Sequence, residues 1–218
     1  MTTLTEAVYP NESRISEAAG ERSREAITVA SGSNVKACMV LGASYGAATA
    51  AAKAGGNTGN GTFTIDATTP TLAGAKPGVY RLRCIAAAAN GGTFRLEDPD
   101  GVVLGDTVMA AGAATVSEHI KGALADGASD FVVGDGFDIT VPATRTFGPI
   151  NFAAATGMSV AAGIAYGDYD GTAAAVPGVA YVRDCEHNAD IVVWPAGATT
   201  DQKAAATRQL AELGIILR

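Results

Sequence analysis

The sequence predicts a mainly β fold with one helix near its C-terminal end, of the α+β class. Short β-rich runs such as "GVYRLRCIA" (78–86) and "FDITV" (137–141) alternate with Gly, Pro and Asp turns, which is typical of small antiparallel sheets. Helix start and stop signals occur together only from Thr199 onward. The 218 residues are enough for two modest domains, each with its own core.

The first 25 residues predict a flexible N-terminal arm. Five Glu and three Arg are mixed there with few apolar side chains, so this segment cannot bury enough surface to fold alone. From residue 26 the pattern changes. In "AITVASGSNVKACMVLG", two short apolar runs flank a Ser-Gly turn, which predicts two strands within residues 26–44.

Residues 45–148 predict a separate β domain with its core at 57–145. The domain opens with a small-residue linker in which the alanine tract 47–54 has helix propensity and the following glycines stop it. Its short runs, including "GTFTID" and "FVVGDG", predict an antiparallel, sandwich-like arrangement. The segment 115–127 is ambiguous between strand and short helix, and we interpret it as strand.

The longest run of this domain alternates between two environments. Tyr80, Leu82 and Cys84 share one face of the run, and Arg81 and Arg83 share the other. Side chains in a strand point to opposite faces in turn, so this pattern predicts a half-buried strand.

Residues 149–218 predict three strands, a helix and a closing strand. Thr199 and Gln202 fit a capping box at the start of the helix, and Gly214 ends it. The helix is expected to bury one apolar face, formed by Ala206, Leu210 and Leu213. "IILR" then predicts the last strand.

Charge and hydropathy exclude two classes of partner. The formal charge is −7 and no cluster of Lys and Arg occurs, so nucleic acid is not an expected partner. The uncharged segment 146–167 contains four Gly and a Pro and lacks the Leu, Ile and Phe density that membrane insertion requires. The N-terminus has early Glu residues and no apolar core of a signal peptide.

The cysteine pattern predicts buried thiols rather than disulfides. Cys38, Cys84 and Cys185 are odd in number, far apart and in no CxxC pair. This pattern favours synthesis in a reducing cytosol.

The residue patterns predict neither catalysis nor a cofactor or metal. His119 and His187 each stand alone and are interpreted as structural. The acidic turns "GDYDG" (167–171) and "DPDG" (98–101) lack the later bidentate Glu of a calcium loop, so plain turns are expected. "GGNTGNG" has no following Lys and helix, as a phosphate-binding loop would require. We therefore expect a non-enzymatic protein.

Two blocks of the chain resemble the lambda-type bacteriophage head decoration protein family. "AGIAYGDYD" followed by "VRDCEHNADIVVWPAGATTDQKAAATRQLAELGIILR" has that family's order of strands, Trp-Pro turn, helix and last strand. "RSREAITVASGSNVKACMVLG" is similar to the family's first ordered strands. The resemblance covers roughly residues 20–43 and 150–218. It predicts a small β-rich decoration domain formed by 26–44 and 149–218.

The block 45–148 departs from the compact family members, which connect these strands by a short loop. We interpret it as a domain inserted at an exposed loop, a change that leaves the host core intact. Within it, "GVYRLRCIAAAANGGTFRLEDPDGVVLGD" is similar to segments of longer phage decoration proteins.

The resemblance implies a structural virion protein. Family members bind the outside of the expanded capsid as homotrimers at three-fold and quasi-three-fold positions, and they stabilise the shell. The implied partner is the phage major capsid protein, and the protein is expected to be made in the host cytoplasm. The arm is expected to become ordered on the capsid and to add strands to it, through Tyr9, Ile15, Arg22, Arg24, Ile27 and Val29.

The only tryptophan, Trp194, is interpreted with Pro195 as ending a strand and fixing the turn before the helix. Trp side chains are enriched both in cores and at subunit interfaces. Trp194, Pro195, Leu210 and Leu213 are therefore assigned to the core or to the trimer interface, with both alternatives open.

A second class of function is a surface binding module, in which the inserted domain adheres to host surfaces or glycans. Such recognition needs convergent aromatic and polar groups on loops. The aromatic residues of the insert lie in strand patterns and are interpreted as core: Phe63, Tyr80, Phe94, Phe131 and Phe137.

Overall fold

The computed structural model describes residues 6–218, which form two compact units. The first unit contains the described residues up to Ser44 together with Thr146–Arg218, and the second unit is Tyr45–Arg145. Across residues 6–218 the fold is mainly β with one α-helix near the C-terminal end, which confirms the predicted fold class.

The strands are numbered in chain order. The first unit begins with β1 (Arg14–Glu17), β2 (Arg24–Val29), β3 (Ser33–Val35) and β4 (Val40–Ser44). The second unit contains β5 (Thr49–Ala52), β6 (Thr62–Ile65), β7 (Gly78–Ala88), β8 (Gly91–Glu97), β9 (Val103–Met109), β10 (Ala113–Ser117), β11 (Lys121–Ala125) and β12 (Gly136–Val141). The first unit continues with β13 (Thr146–Pro149), β14 (Ala161–Ala165), β15 (Tyr169–Gly171), β16 (Val176–Tyr181), β17 (Cys185–His187) and β18 (Ile215–Leu217). The helix is α1 (Thr200–Glu212), and short 3-10 turns occupy Ala19–Glu21 and Gly157–Ser159.

A closed barrel in the order β13-β2-β16-β14-β4 forms the centre of the first unit. All its neighbours are antiparallel except β13 and β2, which meet in parallel at Phe147 and Val29. The alternation in "AITV" directs Ile27 and Val29 inward, where they pack with Leu41 and Phe147. Closure removes the free strand edges that an open sheet would expose.

Helix α1 packs on a second core cluster of the first unit. Ala206 and Leu210 are fully buried there, beside Ile164 and Ile215. The predicted capping box is present: the Thr199 hydroxyl accepts from the Gln202 amide, and the Gln202 side chain accepts from the Thr199 amide. These bonds satisfy backbone donors that the first helical turn leaves free.

The second unit contains a five-stranded sheet, β5-β12-β7-β8-β9, and a three-stranded sheet, β10-β11-β6. Both sheets contribute to one core cluster, through side chains such as Leu82 and Ile139 from the first sheet and Val116 and Leu124 from the second. Tyr80, Leu82 and Cys84 are buried, which confirms the predicted face of β7. The ambiguous segment 115–127 contains strands β10 and β11, as we interpreted it.

The chain leaves and re-enters the first unit at neighbouring residues. Ser44, at the end of β4, is paired with Thr146, at the start of β13. The two ends of the second unit therefore attach at adjacent positions of one antiparallel ladder. A loop whose ends lie close together is the type of position where a domain can be inserted with little cost to the host fold.

The state of the cysteines agrees with the sequence analysis. Cys38, Cys84 and Cys185 are buried and unpaired, as predicted. Within residues 6–218, no helix combines the length and hydropathy that crossing a bilayer requires.

Candidate functional site

We call residues 9–17 the N-terminal strap. It lies along the first unit and ends in β1, an edge strand of the sheet β1-β17-β18. The Asn11 amide donates to the Tyr166 carbonyl over 2.9 Å, and the Asn188 amide donates to the Ser13 carbonyl over 2.7 Å. Strand β1 then pairs with β17 in an antiparallel ladder that has an irregularity between Arg14 and Ser16. The strap is thus held mainly by backbone hydrogen bonds.

Buried polar side chains lie beneath the strap. Ser13 Oγ is 2.8 Å from His187 Nδ1, and both residues are fully buried. The Ser13 amide donates to Cys38 Sγ over 3.3 Å, and the Tyr181 hydroxyl donates to Asn11 Oδ1. The strap therefore covers a thiol, a phenol hydroxyl and an imidazole.

Charged residues extend this site toward β2. The Arg24 guanidinium donates to Glu17 over 2.9 Å, and Arg14 also pairs with Glu17. The hydrogen bond from Arg24 is the main cause that holds the pKa of Glu17 below its usual value. The Arg24 guanidinium also lies 5.0 Å from the ring centroid of Tyr166, a cation–π distance.

His187 is in an environment that disfavours its charged form. Its ring meets Tyr181 edge-on with centroids 4.8 Å apart, and its Nε2 has no hydrogen-bond partner among the described residues. Burial, with a smaller contribution from the charge of Arg14, lowers the pKa of His187 to about 4. The imidazole is therefore neutral at pH 7.

The strap exposes two large apolar side chains among polar ones. The side chains of Tyr9 and Ile15 are 60% and 54% exposed, and Glu12 and Ser16 are exposed as well. On the same sheet as Ile15, Ile216 of β18 is also among the exposed large apolar residues.

Comparison with known protein families identifies the chain. The model of the bacteriophage lambda head decoration protein D family matches residues 3–215. The chain belongs to this family. The match includes the strap, both parts of the first unit and the whole second unit, which confirms the resemblance found in the sequence.

Other comparisons add little to the decoration family assignment. No curated protein matches the chain significantly. Among solved structures, the chain is similar to the crystal structure of Xanthomonas campestris FlgL, with 21% sequence identity and a TM-score of 0.33. That similarity covers 51% of this chain and 33% of the FlgL chain, so the chain spans about a third of that structure's length.

The structure differs from the arm expected of a decoration protein in two respects. From Ser13 onward the segment is packed, because β1 pairs with β17 and the buried Ser13 and Ser23 face the body. Ile27 and Val29 are core residues of the barrel, and β2 is paired with β16 along its whole length. A capsid strand cannot reach these two residues unless the barrel opens, so we do not carry forward their expected contact.

The other predicted arm residues lie outside the core. Tyr9, Ile15 and Arg22 are exposed, and Arg24 is half-buried in its ion pairs with Glu17 and Glu21. The first five residues of the predicted arm lie outside the described residues.

The residues around the Trp-Pro turn have several environments. Trp194 is half-buried and packs against the cluster that contains Leu210. Val193 forms only an isolated bridge with Met39, so Trp194 and Pro195 follow a bridge rather than end a strand. Leu213 is 39% exposed, because the helix ends at Glu212 and turns it away from the core.

The sequence does not predict the cluster of polar groups beneath the strap. It indicates a structural role for His187, with which the buried hydrogen bond to Ser13 agrees, but it places Ser13 and Asn11 in a flexible arm. The available signal was the alternation in "CEH", since Cys185 and His187 share one face of β17 and Cys185 is buried. The partner on the distant strap leaves no local pattern in the sequence.

The burial of His187 predicts a pH-dependent stability of the first unit. The pKa of His187 is about 4 in the folded state against about 6.5 when exposed. The free energy of unfolding of the first unit is therefore highest above pH 6.5, where His187 is neutral in both the folded and the unfolded state. It falls as the pH decreases toward 4, by at most about 3 kcal/mol. Urea unfolding followed by Trp194 fluorescence between pH 7.5 and 4 measures it. His187→Asn should flatten this part of the pH dependence, and an unchanged slope in that variant would refute the assignment.

Proposed function

We propose that this decoration family protein binds the exterior of the expanded phage capsid as a homotrimer at three-fold and quasi-three-fold positions and stabilises the shell. The match of the family model to residues 3–215 carries this proposal. The partner is the phage major capsid protein, and the protein resides on the outer surface of the virion. Its role is structural rather than enzymatic.

We further propose that the first unit is the decoration domain and that the second unit is an inserted, sandwich-like domain. The pairing of Ser44 with Thr146 supports this division, because the insert then interrupts a connection between adjacent strands. The shared core of the two sheets of the second unit also supports it, since such a unit has its own hydrophobic interior.

The strap supplies the proposed capsid contact through Tyr9 and Ile15. Both side chains are large, apolar and more than half exposed, which suits them to become buried against a partner. A single strap gives modest affinity. Three straps on one trimer raise the overall affinity, because the first contact raises the effective concentration of the other two.

The chain's charge fits a protein partner better than a nucleic acid. The formal charge is −7, and the basic residues near the strap, Arg14 and Arg24, are engaged by Glu17. A phosphate backbone requires clustered cations that are free to replace counterions.

Binding to expanded empty capsids of the parent phage tests the proposal. The Tyr9→Ser/Ile15→Ser variant should bind at least tenfold more weakly than the wild type, since it removes two apolar contacts of each strap. Val108→Ser and Val133→Ser are matched controls, because these valines are equally exposed but lie in the second unit. Bound wild-type protein should also protect the shells against heat or low salt. Wild-type protein that neither binds nor protects the shells would overturn the proposal.

Adhesion through the second unit has less support. Tyr45 is partly buried against the core cluster, and the other five aromatic residues are buried in it: Phe63, Tyr80, Phe94, Phe131 and Phe137. They are therefore not available to stack on a sugar or to anchor a loop in a host receptor.

A further inference from the structure

We propose that the N-terminal strap is a detachable element, stored on its own subunit through Ser13 in the free protein and released when it engages a partner. The identity of that partner, the capsid, rests on the proposed function. The storage and release of the strap rest on the contacts of residues 9–17 alone.

The strap is held without much apolar burial. Between residues 6 and 17, only Ser13 is fully buried, and the two largest apolar side chains, Tyr9 and Ile15, point to solvent. Hydrophobic stabilisation scales with the apolar area removed from water, so this contribution is small for the strap. What holds the strap is hydrogen bonds, together with the ion pair between Glu17 and Arg24 of β2, and water replaces these bonds when the strap leaves.

The surface beneath the strap contains polar groups. Release uncovers the Ser13 partner His187, the Tyr181 hydroxyl and the Cys38 thiol. His187 Nε2 has no partner among the described residues in the closed form, and release would open it to bulk water. A segment that covers polar groups and makes few apolar contacts has a low free energy of local opening compared with the core of a protein.

The two charged side chains that act on His187 lie on the strap itself. Arg14 and Glu17 face it from β1, and Tyr181 faces it from β16, with Arg24 of β2 stacked over the Tyr181 ring. Protonation of His187 in the closed form would place a positive charge beside Arg14 without an acceptor for Nε2. Acid is therefore expected to favour release of the strap.

A pivot lies directly after the strap. Gly20 and Glu21 both have left-handed backbone conformations, with φ of 74° and 59°, between β1 and β2. No atom lies within 4 Å of the position of a Cβ on Gly20, so the turn is open at this residue. The hydrogen bonds beside it are those of the Ala18 amide to the Asp184 carbonyl and of the Arg183 guanidinium to the Arg22 carbonyl. The strap can swing at the turn while β2 remains in the barrel.

The reactivity of Cys38 reports release in the free protein, without any capsid. Cys38 is buried under the strap, with Sγ 3.8 Å from the Tyr9 carbonyl, while Cys185 is buried in the core cluster of the first unit that contains Leu210. A thiol reagent such as iodoacetamide, with the labelled sites assigned by peptide mass spectrometry, gives separate rates for the two. Cys185 is the internal reference for unfolding of the first unit.

Ser13→Ala removes the side chain that bonds His187 and should raise the labelling rate of Cys38 at least tenfold, with the rate of Cys185 unchanged. Ser16→Ala is the matched control, because the Ser16 hydroxyl lies on the same strap and bonds Glu186 of β17 in an exposed position. It should change the Cys38 rate less than twofold. An equal Cys38 rate in Ser13→Ala and wild type, or a joint rise for Cys38 and Cys185, would overturn the proposal. Capsid binding by these proteins tests the proposed function separately.

Discussion

Asp135→Ala should lower the free energy of unfolding of the second unit by about 3 kcal/mol. The Asp135 carboxylate is buried and accepts backbone hydrogen bonds from Thr58, Gly59 and Val132, over 2.9 to 3.1 Å. These bonds hold the pKa of Asp135 below its usual value, although burial alone acts to raise it. Removing the side chain leaves three donors of two separate loops unpaired, and one of them, the Gly59 amide, is buried.

Asp130→Ala is the matched control for this prediction. Asp130 is in the same loop, but its carboxylate is exposed and accepts one backbone hydrogen bond, from Asn90. It should cost less than about 1 kcal/mol. Thermal unfolding followed by circular dichroism measures both losses, and Trp194 fluorescence reports the first unit separately. Similar losses for the two variants, or a shift of the Trp194 transition in Asp135→Ala, would contradict the assigned role.

Elements with local signals were predictable from the sequence. Thr199 and Gln202 bond each other's backbone amides at the start of the helix, and Gly214, with a φ of 78°, lies just after its end. The turn "DPDG" is equally local: the Asp98 carboxylate accepts from the amides of Asp100 and Val102. Such elements need no information from distant parts of the chain.

Two segments of the second unit took a conformation that their local pattern did not predict. Thr49–Ala52 forms β5 although its alanines favour helix, because β12 offers it a pairing edge, as between Ala50 and Ile139. The segment "FVVGDG" (131–136) has the pattern of a strand. In the structure Phe131 is buried whereas Val132 and Val133 are exposed, and the segment forms a turn that the Asp135 carboxylate fixes. Tertiary contacts outweigh propensity in both cases.

The candidate site was the hardest part to predict, for a physical reason. Ser13 and His187 are 174 positions apart, and their contact depends on β1 pairing with β17. A charged and polar segment predicts disorder when judged alone, because its own side chains bury little surface. Here the backbone hydrogen bonds come from a neighbouring strand whose position only the complete fold determines.

Leu210→Ala should lower the free energy of unfolding of the first unit by about 4 kcal/mol, within the range for a buried leucine that leaves a cavity. Leu210 is fully buried in the cluster formed with Ile164, Tyr181 and Ile215, and well-packed strands on the far side limit collapse of the space. Chemical denaturation followed by the fluorescence of Trp194 measures the effect, because Trp194 packs on this same cluster.

Leu213→Ala provides the comparison that distinguishes a core residue from a residue of the trimer interface, the two roles that the sequence leaves open. Leu213 is the same residue type three positions further, but it is 39% exposed. Its replacement should cost less than about 1 kcal/mol of subunit stability. In the proposed trimer, however, it should raise the concentration at which subunits dissociate, measured by sedimentation equilibrium, since an exposed leucine can be buried between subunits. Equal losses of subunit stability in the two variants would refute the assignment of Leu210 to the core and Leu213 to the surface.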